Sequence, residues 1–209
     1  MDVLAEFITD QQEGLMAAVM TAGIYGIPER ILFKTLPDGD WKKFVGASND
    51  DPNAGGGARD LRYNGFRDFE AIAKAFFPTV TPVSRVRGGV AKTVNAYSGK
   101  LLHGFGSQQF DGASFEPPTT ARELEWRFVR VTSQAPLNNA HSSAGNGDKD
   151  IIVLVQEKIG EVVAVFTTLN TLPSDNISAF IAAACAAPRH SNYAAAGFLD
   201  LVTGYQEHN

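Results

Sequence analysis

Several features that would assign a chemistry are missing from this sequence. The 209 residues include one cysteine, Cys185, so no disulfide can form within the chain, which agrees with a reducing compartment. No apolar run of about 18 residues occurs, and no basic stretch precedes an apolar one at the amino terminus. The sequence therefore indicates a cytoplasmic protein without a membrane partner.

Motifs for cofactors and covalent catalysis are also missing. There is no P-loop and no G-x-S-x-G nucleophile elbow, and none of the four histidines pairs with another ligand at metal-binding spacing. Cys185 lies in an alanine-rich stretch, which is typical of a small core residue. No catalytic residue, metal site or cofactor is expected, and Mg²⁺ would be needed only if the chain had nuclease activity.

Acidic residues outnumber basic ones, and the net charge of −5 by itself argues against nucleic-acid binding. The charge is unevenly distributed, however. Residues 59–130 hold 11 basic and 7 acidic side chains, a balance of +4, whereas residues 1–58 and 131–209 carry −5 and −4. This pattern favours a local basic surface for an anion, although ordinary clustering on a solvated surface explains it equally well.

Hydrophobic periodicity predicts a mainly β chain of the α+β class. Residues 3–22 suit an amphipathic helix, "FRDFEAIAKAFFP" is the best central helix, and the alanine-rich tail after residue 176 reads as two helical pieces split by Pro188. Strand-like stretches separated by Gly, Pro and Ser fill the middle, and "IIVLVQEKIGEVVAVFTTL" predicts a hairpin. We expect an open pseudobarrel of mixed or antiparallel strands with an internal helix and flanking terminal helices.

The stretch "NDDPNAGGGARDLR" (Asn49–Arg62) is a candidate binding segment. Its three glycines free the backbone for close approach to a ligand, and exposed N–H groups there can form an anion nest. Arg59 and Arg62 add planar donors for phosphate or guanine, and Asn49 suits adenine. The alternative is a surface loop with an Arg–Asp pair that binds nothing.

A second segment, "WRFVRVTSQAPLNN", has a similar composition. Strand alternation puts Arg127 and Val129 on one face and Phe128 and Arg130 on the other. The segment continues into a polar loop, and two such segments suit the two sides of a duplex. An amphipathic strand followed by a plain loop is the alternative.

The order of these features resembles the DNA-recognition pseudobarrel of the restriction enzymes EcoRII and BfiI, a fold shared with the plant "B-three" transcription-factor domain. The resemblance rests on the Asn-Asp loop with glycines, the helix ending in "FFP", the Arg-x-x-Arg strand, the polar loop and the closing "IIVLVQ…VVAVFTT" hairpin. It departs from the EcoRII pattern at Ala58-Arg59, where that family has His-Gln. The resemblance implies an N-arm (Asn49–Arg62) and a C-arm (Arg127–Asn139) that enter the major groove from opposite sides.

The predicted organisation is an N-terminal helical extension (1–29), a DNA-binding pseudobarrel (30–170) and a C-terminal helical extension (171–209). The implied partner is double-stranded DNA, in restriction-modification or another defence role, with a homodimer or a fused nuclease domain as further options. The predicted DNA-binding residues are Asn49, Asp50, Asn53, Arg59, Asp60, Arg62, Arg127, Arg130, Ser133, Gln134, Asn138 and Asn139.

Two other functions stay open at this stage. Asp148, Asp150 and Glu157 could form the metal site of a compact nuclease, although Glu157 and Lys158 are adjacent, and neighbours on a strand point to opposite faces. Alternatively, the apolar terminal helices serve assembly and the basic middle is merely solvated. In a variant of the DNA-binding hypothesis, a pocket of the protein recognises methylated cytosine.

Overall fold

The computed structural model describes residues 28–36, 60–87, 89–103, 110–119, 125–130, 150–158, 160–169, 176–190 and 193–209. The predicted helix at 3–22 and most of both predicted arms lie outside these residues. The described residues form ten strands and two helices. The elements are β1 (Pro28–Leu36), β2 (Asp60–Tyr63), α1 (Phe69–Phe76), β3 (Thr79–Arg87), β4 (Val90–His103), β5 (Phe110–Glu116), β6 (Trp126–Arg130), β7 (Asp150–Glu157), β8 (Val162–Thr168), α2 (Asn176–Ala186), β9 (Ala196–Asp200) and β10 (Gln206–His208).

Helix α1 confirms the predicted central helix. Its apolar residues recur at helical spacing and are buried. Asp68 caps its first turn, because the side-chain Oδ1 accepts a hydrogen bond from the amide of Ala71 at 3.1 Å. Pro78 follows the last turn and cannot continue the helix. The buried residues of the helix are Phe69, Ile72, Ala73 and Phe76.

The strands form one sheet in the order β10-β9-β1-β7-β8-β4-β5-β6-β2, with β3 paired to β4. All pairings are antiparallel except a short parallel contact between β4 and β8 at Leu102 and His103. The two ends of this path, β10 and β2, are not paired with each other in the described part of the chain. The predicted class is confirmed: the fold is mainly β, with mixed strands curved into an open pseudobarrel around α1.

The predicted hairpin at 151–169 is also confirmed. Strands β7 and β8 pair from Asp150 and Thr168 to Gln156 and Val162. The turn closes with a hydrogen bond from the amide of Gly160 to the carbonyl of Glu157, at 2.8 Å. Gly160 has a φ of 86°, a left-handed conformation that glycine adopts without a steric penalty.

Two hydrophobic clusters lie on opposite faces of the sheet. The inner cluster packs α1 against the concave side, with Leu32, Leu61, Phe115 and Phe128 fully buried. The outer cluster packs α2 against the other face of β1, β7 and β8. These three strands are therefore covered on both faces, which explains their nearly continuous apolar sequence.

The second predicted helical piece of the C-terminal tail is wrong. Helix α2 occupies the first piece, but the residues after Pro188 include β9 and β10, and β9 pairs with β1. Helix propensity in "YAAAGFLDL" is overridden by tertiary packing. Phe33 and Phe180 fill the space beside Gly197, so the strand fits closely against the core. Arg30 Nε also donates to Asp200 Oδ2 at 3.2 Å, across the β1–β9 pair.

Candidate nucleic-acid interface

Two connections of the chain begin and end beside each other. The first connection (residues 37–59) runs from the end of β1 to the start of β2, and the second connection (residues 131–149) runs from the end of β6 to the start of β7. In the sheet, Leu36 pairs with Asp150 and Asp60 pairs with Val129. Both connections therefore span from the β1–β7 pair to the β2–β6 pair, at the same ends of those strands.

One core fixes the relation between the two anchoring strand pairs. Leu36 and Ile152 from β1 and β7, and Leu61 and Phe128 from β2 and β6, belong to the same inner cluster. Close packing makes such a core stiff. The four anchor points consequently keep a defined spacing, whatever the conformation of the two connections.

Of the predicted DNA-binding residues, Arg62 and Arg127 are described with their side chains. For Asp60 and Arg130 the structure describes only the position in the strand, and Arg130 pairs with Ala113 of β5. The other predicted residues lie outside the described residues: Asn49, Asp50, Asn53, Arg59, Ser133, Gln134, Asn138 and Asn139.

The structure brings Arg62 and Arg127 together. They are directly opposite each other in the β2–β6 register. Phe128, the next residue along β6, is fully buried, whereas Arg127 keeps a quarter of its side chain exposed. The predicted alternation of faces is confirmed for these two residues. One residue from each predicted arm thus lies on the outer face of the same two strands.

Glu125 lies between the two arginines. Its Oε1 is 3.3 Å from Arg127 Nε and its Oε2 is 3.5 Å from Arg62 Nη1. The side chains of Arg62, Arg127 and Glu125 are 49%, 25% and 22% exposed. We call these three residues the root triad. Sequence reasoning missed Glu125, although it directly precedes β6 and lies two residues before Arg127, the spacing of residues that share one face of a strand.

A second ion pair lies one strand further into the sheet. Arg85 Nε is 3.1 Å from Glu116 Oε2, with both side chains largely buried, and Arg85 Nη1 donates to the carbonyl of Pro117 at 2.6 Å. Glu116 pairs with Arg127 in the β5–β6 register. Arg85 therefore holds the β3–β4 hairpin against β5, which is a structural role.

The excess of basic side chains within residues 59–130 is not spread evenly along that segment. Residues 79–103 hold 4 basic and no acidic side chains, so the remaining parts of 59–130 hold 7 basic and 7 acidic ones. The whole excess of +4 lies in the β3–β4 hairpin. Outside that hairpin the basic and acidic side chains of residues 59–130 balance, so we expect individual arginines to supply any attraction at β2 and β6.

The proposed nuclease residues are not brought together. Asp150 and Glu157 begin and end β7, and a rise of roughly 3.3 Å per residue separates them by about 23 Å. Glu157 is only 1% exposed. Asp148 lies outside the described residues. Among the residues that are described, no group of three acidic, histidine or cysteine side chains could hold a metal ion.

A cleft also lies elsewhere, between α2 and β10. It has a volume of about 720 Å³ and is lined by Phe180, Arg67 and Glu207, among others. The Glu207 carboxylate accepts hydrogen bonds from the Arg67 amide at 2.7 Å and the Tyr205 hydroxyl at 2.9 Å. The bond to Glu207 raises the pKa of Tyr205. These contacts tie β10 to the segment before α1.

Comparison with protein-family models and with curated proteins finds no match to this chain. Within the ranges described, no helix has the length and apolar character needed to cross a membrane. A functional interpretation therefore depends on the anchors of the two connections and on the root triad.

Proposed function

We propose that this chain is a sequence-specific module for double-stranded DNA, of the kind that serves bacterial restriction or defence endonucleases. In this proposal the two connections grip one duplex and read base edges in its major groove. The observation that carries the proposal is the common anchoring of the two connections. Leu36 lies beside Asp150, and Asp60 lies beside Val129.

Common anchoring supports the proposal because two segments that read one site must start from fixed, neighbouring positions. A stiff scaffold under variable segments is a usual arrangement for binding sites. Base contacts supply specificity, and phosphate contacts supply position and much of the affinity. Arg62 suits a phosphate contact, since about half of its planar, permanently charged side chain is exposed.

The deciding experiment is selection of bound duplexes from a randomised library, followed by titration of the enriched duplex at several salt concentrations. Parallel selections with and without cytosine methylation would separate plain recognition from modification sensing. We expect one enriched sequence and an affinity that falls steeply with salt, because each phosphate contact releases counterions. Binding with neither enrichment nor salt dependence would refute the proposal.

Substitution tests whether the predicted arms carry the binding. Arg59→Ala and Arg62→Ala should each weaken binding, by about tenfold where a base contact is lost. Arg67→Ala is the matched control, because it removes the same charge from an exposed residue beyond the other end of β2. Equal losses in all three variants would point to general charge attraction and away from two specific arms.

A further inference from the structure

The root triad places two like charges and one opposite charge at the base of both connections. Arg62 and Arg127 face each other across two strands, a position in which like charges destabilise a sheet. The Glu125 carboxylate compensates by using one oxygen for each arginine. The triad therefore carries a net charge of +1 where the two arginines alone would carry +2.

The two arginines are not equally available. Arg127 has the shorter contact with Glu125, through Nε at 3.3 Å, and is 25% exposed. Arg62 has the longer contact, through Nη1 at 3.5 Å, and is 49% exposed. A phosphate oxygen that approaches this face would compete with Glu125 for the same guanidinium donors. Arg62 would be released first, because its contact is longer and its side chain is more exposed.

We propose that Glu125 is a positioning residue that competes with DNA phosphate for Arg62 and keeps Arg127 out of the interface. It thereby lowers the affinity for every duplex without reading sequence. This inference rests on the proposed DNA-binding function. It assigns different roles to two residues that look equivalent in the sequence. Arg62 contacts phosphate, and Arg127 holds the Glu125 carboxylate in place.

The first test compares full-length wild-type chain with Glu125→Gln on the enriched duplex and on a random duplex. We expect affinity for both duplexes to rise by about two- to fivefold, the range of an exposed ion pair. The ratio of the two affinities should stay unchanged. The salt dependence should steepen, by about 0.9 in the logarithmic slope for each additional phosphate contact.

The second test measures Arg127→Gln in both backgrounds. In the wild-type background the change should lower duplex affinity only slightly, because Glu125 already pairs with Arg127 and the loss leaves the carboxylate to Arg62 alone. In the Glu125→Gln background the same change should remove most of the gained affinity. Such non-additivity is the sign of direct coupling between neighbouring residues. Additive effects would contradict the assigned roles.

Two controls separate charge from structure. Glu161→Gln removes an equal charge from an exposed residue at the β7–β8 turn, at the opposite ends of the strands from the two connections, and should leave duplex affinity unchanged. Glu125→Asp keeps the charge and should keep the low affinity. If Glu125→Gln folds poorly, Glu125→Ala removes the same charge and should raise duplex affinity in the same way, and an unchanged affinity would refute the inference.

Each remaining outcome decides the matter. A fall in affinity for Glu125→Gln would make Glu125 a purely structural brace, and a changed target sequence would make it a base-reading residue; either overturns the inference. If the wild-type chain selects a sequence and Glu125→Gln binds it with the same affinity, the role of Glu125 is refuted. The proposed DNA-binding function is not. A wild-type chain that binds no duplex refutes both this inference and the proposed function.

Discussion

The two strand pairs that anchor the connections differ in what covers them. β1 and β7 lie between two hydrophobic clusters, with α1 on one side and α2 on the other. Among the described residues, β2 and β6 have a hydrophobic cluster on one face only, the inner cluster. Their opposite face carries Arg62 and Arg127. The same two connections are thus held by an apolar anchor at one end and a charged anchor at the other.

Under the proposed function, this difference separates the residues that stabilise the fold from those that bind DNA. The doubly covered pair runs over Arg30–Leu36 and Asp150–Gln156, whereas the singly covered pair has only Asp60–Tyr63 against Trp126–Val129. Because the long pair is packed on both faces, a charge near its centre carries a large desolvation cost, and Lys34, 3% exposed, is a charged residue buried there. A short pair with one free face can present arginines. Changes at the first anchor should therefore affect unfolding, and changes at the second should affect DNA affinity.

The largest effect is expected at the doubly covered anchor. Phe33 is fully buried, and its ring centroid lies 5.9 Å from that of Phe180. Phe33→Ala should lower the free energy of unfolding by about 3–5 kcal/mol, because it leaves a cavity between sheet and helix. Chemical denaturation would measure the loss. Val80→Ala is the control, since Val80 is 53% exposed and should change stability little.

A smaller loss is expected from overfilling the same anchor. A Cβ added at Gly197 would lie 2.5 Å from Phe33 Cε1 and 3.0 Å from Phe180 Cζ. Gly197→Ala should cost about 1–3 kcal/mol of unfolding free energy. Adding Phe33→Leu makes room for the methyl group, so the double variant should be more stable than the sum of the single losses predicts. Simple additivity in thermal melts would contradict this contact.

A test of the inner cluster concerns Tyr63, at the end of β2. It is buried beside Phe69 and Phe115, and among the described residues its hydroxyl has no hydrogen-bond partner. Tyr63→Phe should be neutral or should raise the unfolding free energy by up to about 1 kcal/mol at neutral pH. Denaturation at pH 7 would show it, and a loss of several kcal/mol would reveal an important bond.

The burial of Tyr63 also predicts that the free energy of unfolding depends on pH. Burial raises its pKa above the ordinary value of 10.0, so the folded protein keeps the proton while the unfolded chain releases it. The contribution of Tyr63 to stability is then fully present below pH 10 and falls above it, by up to about 1.4 kcal/mol per pH unit. The difference between wild type and Tyr63→Phe from pH 9 to 11 isolates this effect from the other tyrosines.

The smallest effect on stability is expected at the charged anchor. Arg62→Gln and Glu125→Gln should each change the unfolding free energy by less than about 1 kcal/mol, because partly exposed ion pairs contribute little. Their effect should appear in duplex binding instead. If either variant lost as much unfolding free energy as Phe33→Ala, the root triad would be needed to hold the fold together. The assignment of stability to one anchor and binding to the other would then be wrong.

The sequence predicted most local elements correctly. Helix α1, the β7–β8 hairpin and helix α2 follow the periodicity of their buried residues. The second C-terminal helical piece was wrong, because alanine-rich sequence has high helix propensity and only the pairing of β9 with β1 overrides it. Which function the chain has stays a proposal, since most of the predicted arm residues lie outside the described residues.

What the sequence determined by itself is local. Glu125 directly precedes β6, and the two-residue period of that strand, continued back by one residue, predicts that Glu125 and Arg127 share one face while Phe128 takes the other. Only the tertiary structure decided that Arg62 would join them, because Arg62 and Glu125 are 63 positions apart. Strand register is set by packing of the whole core. The root triad, and the common anchoring of the two connections, arise from that packing.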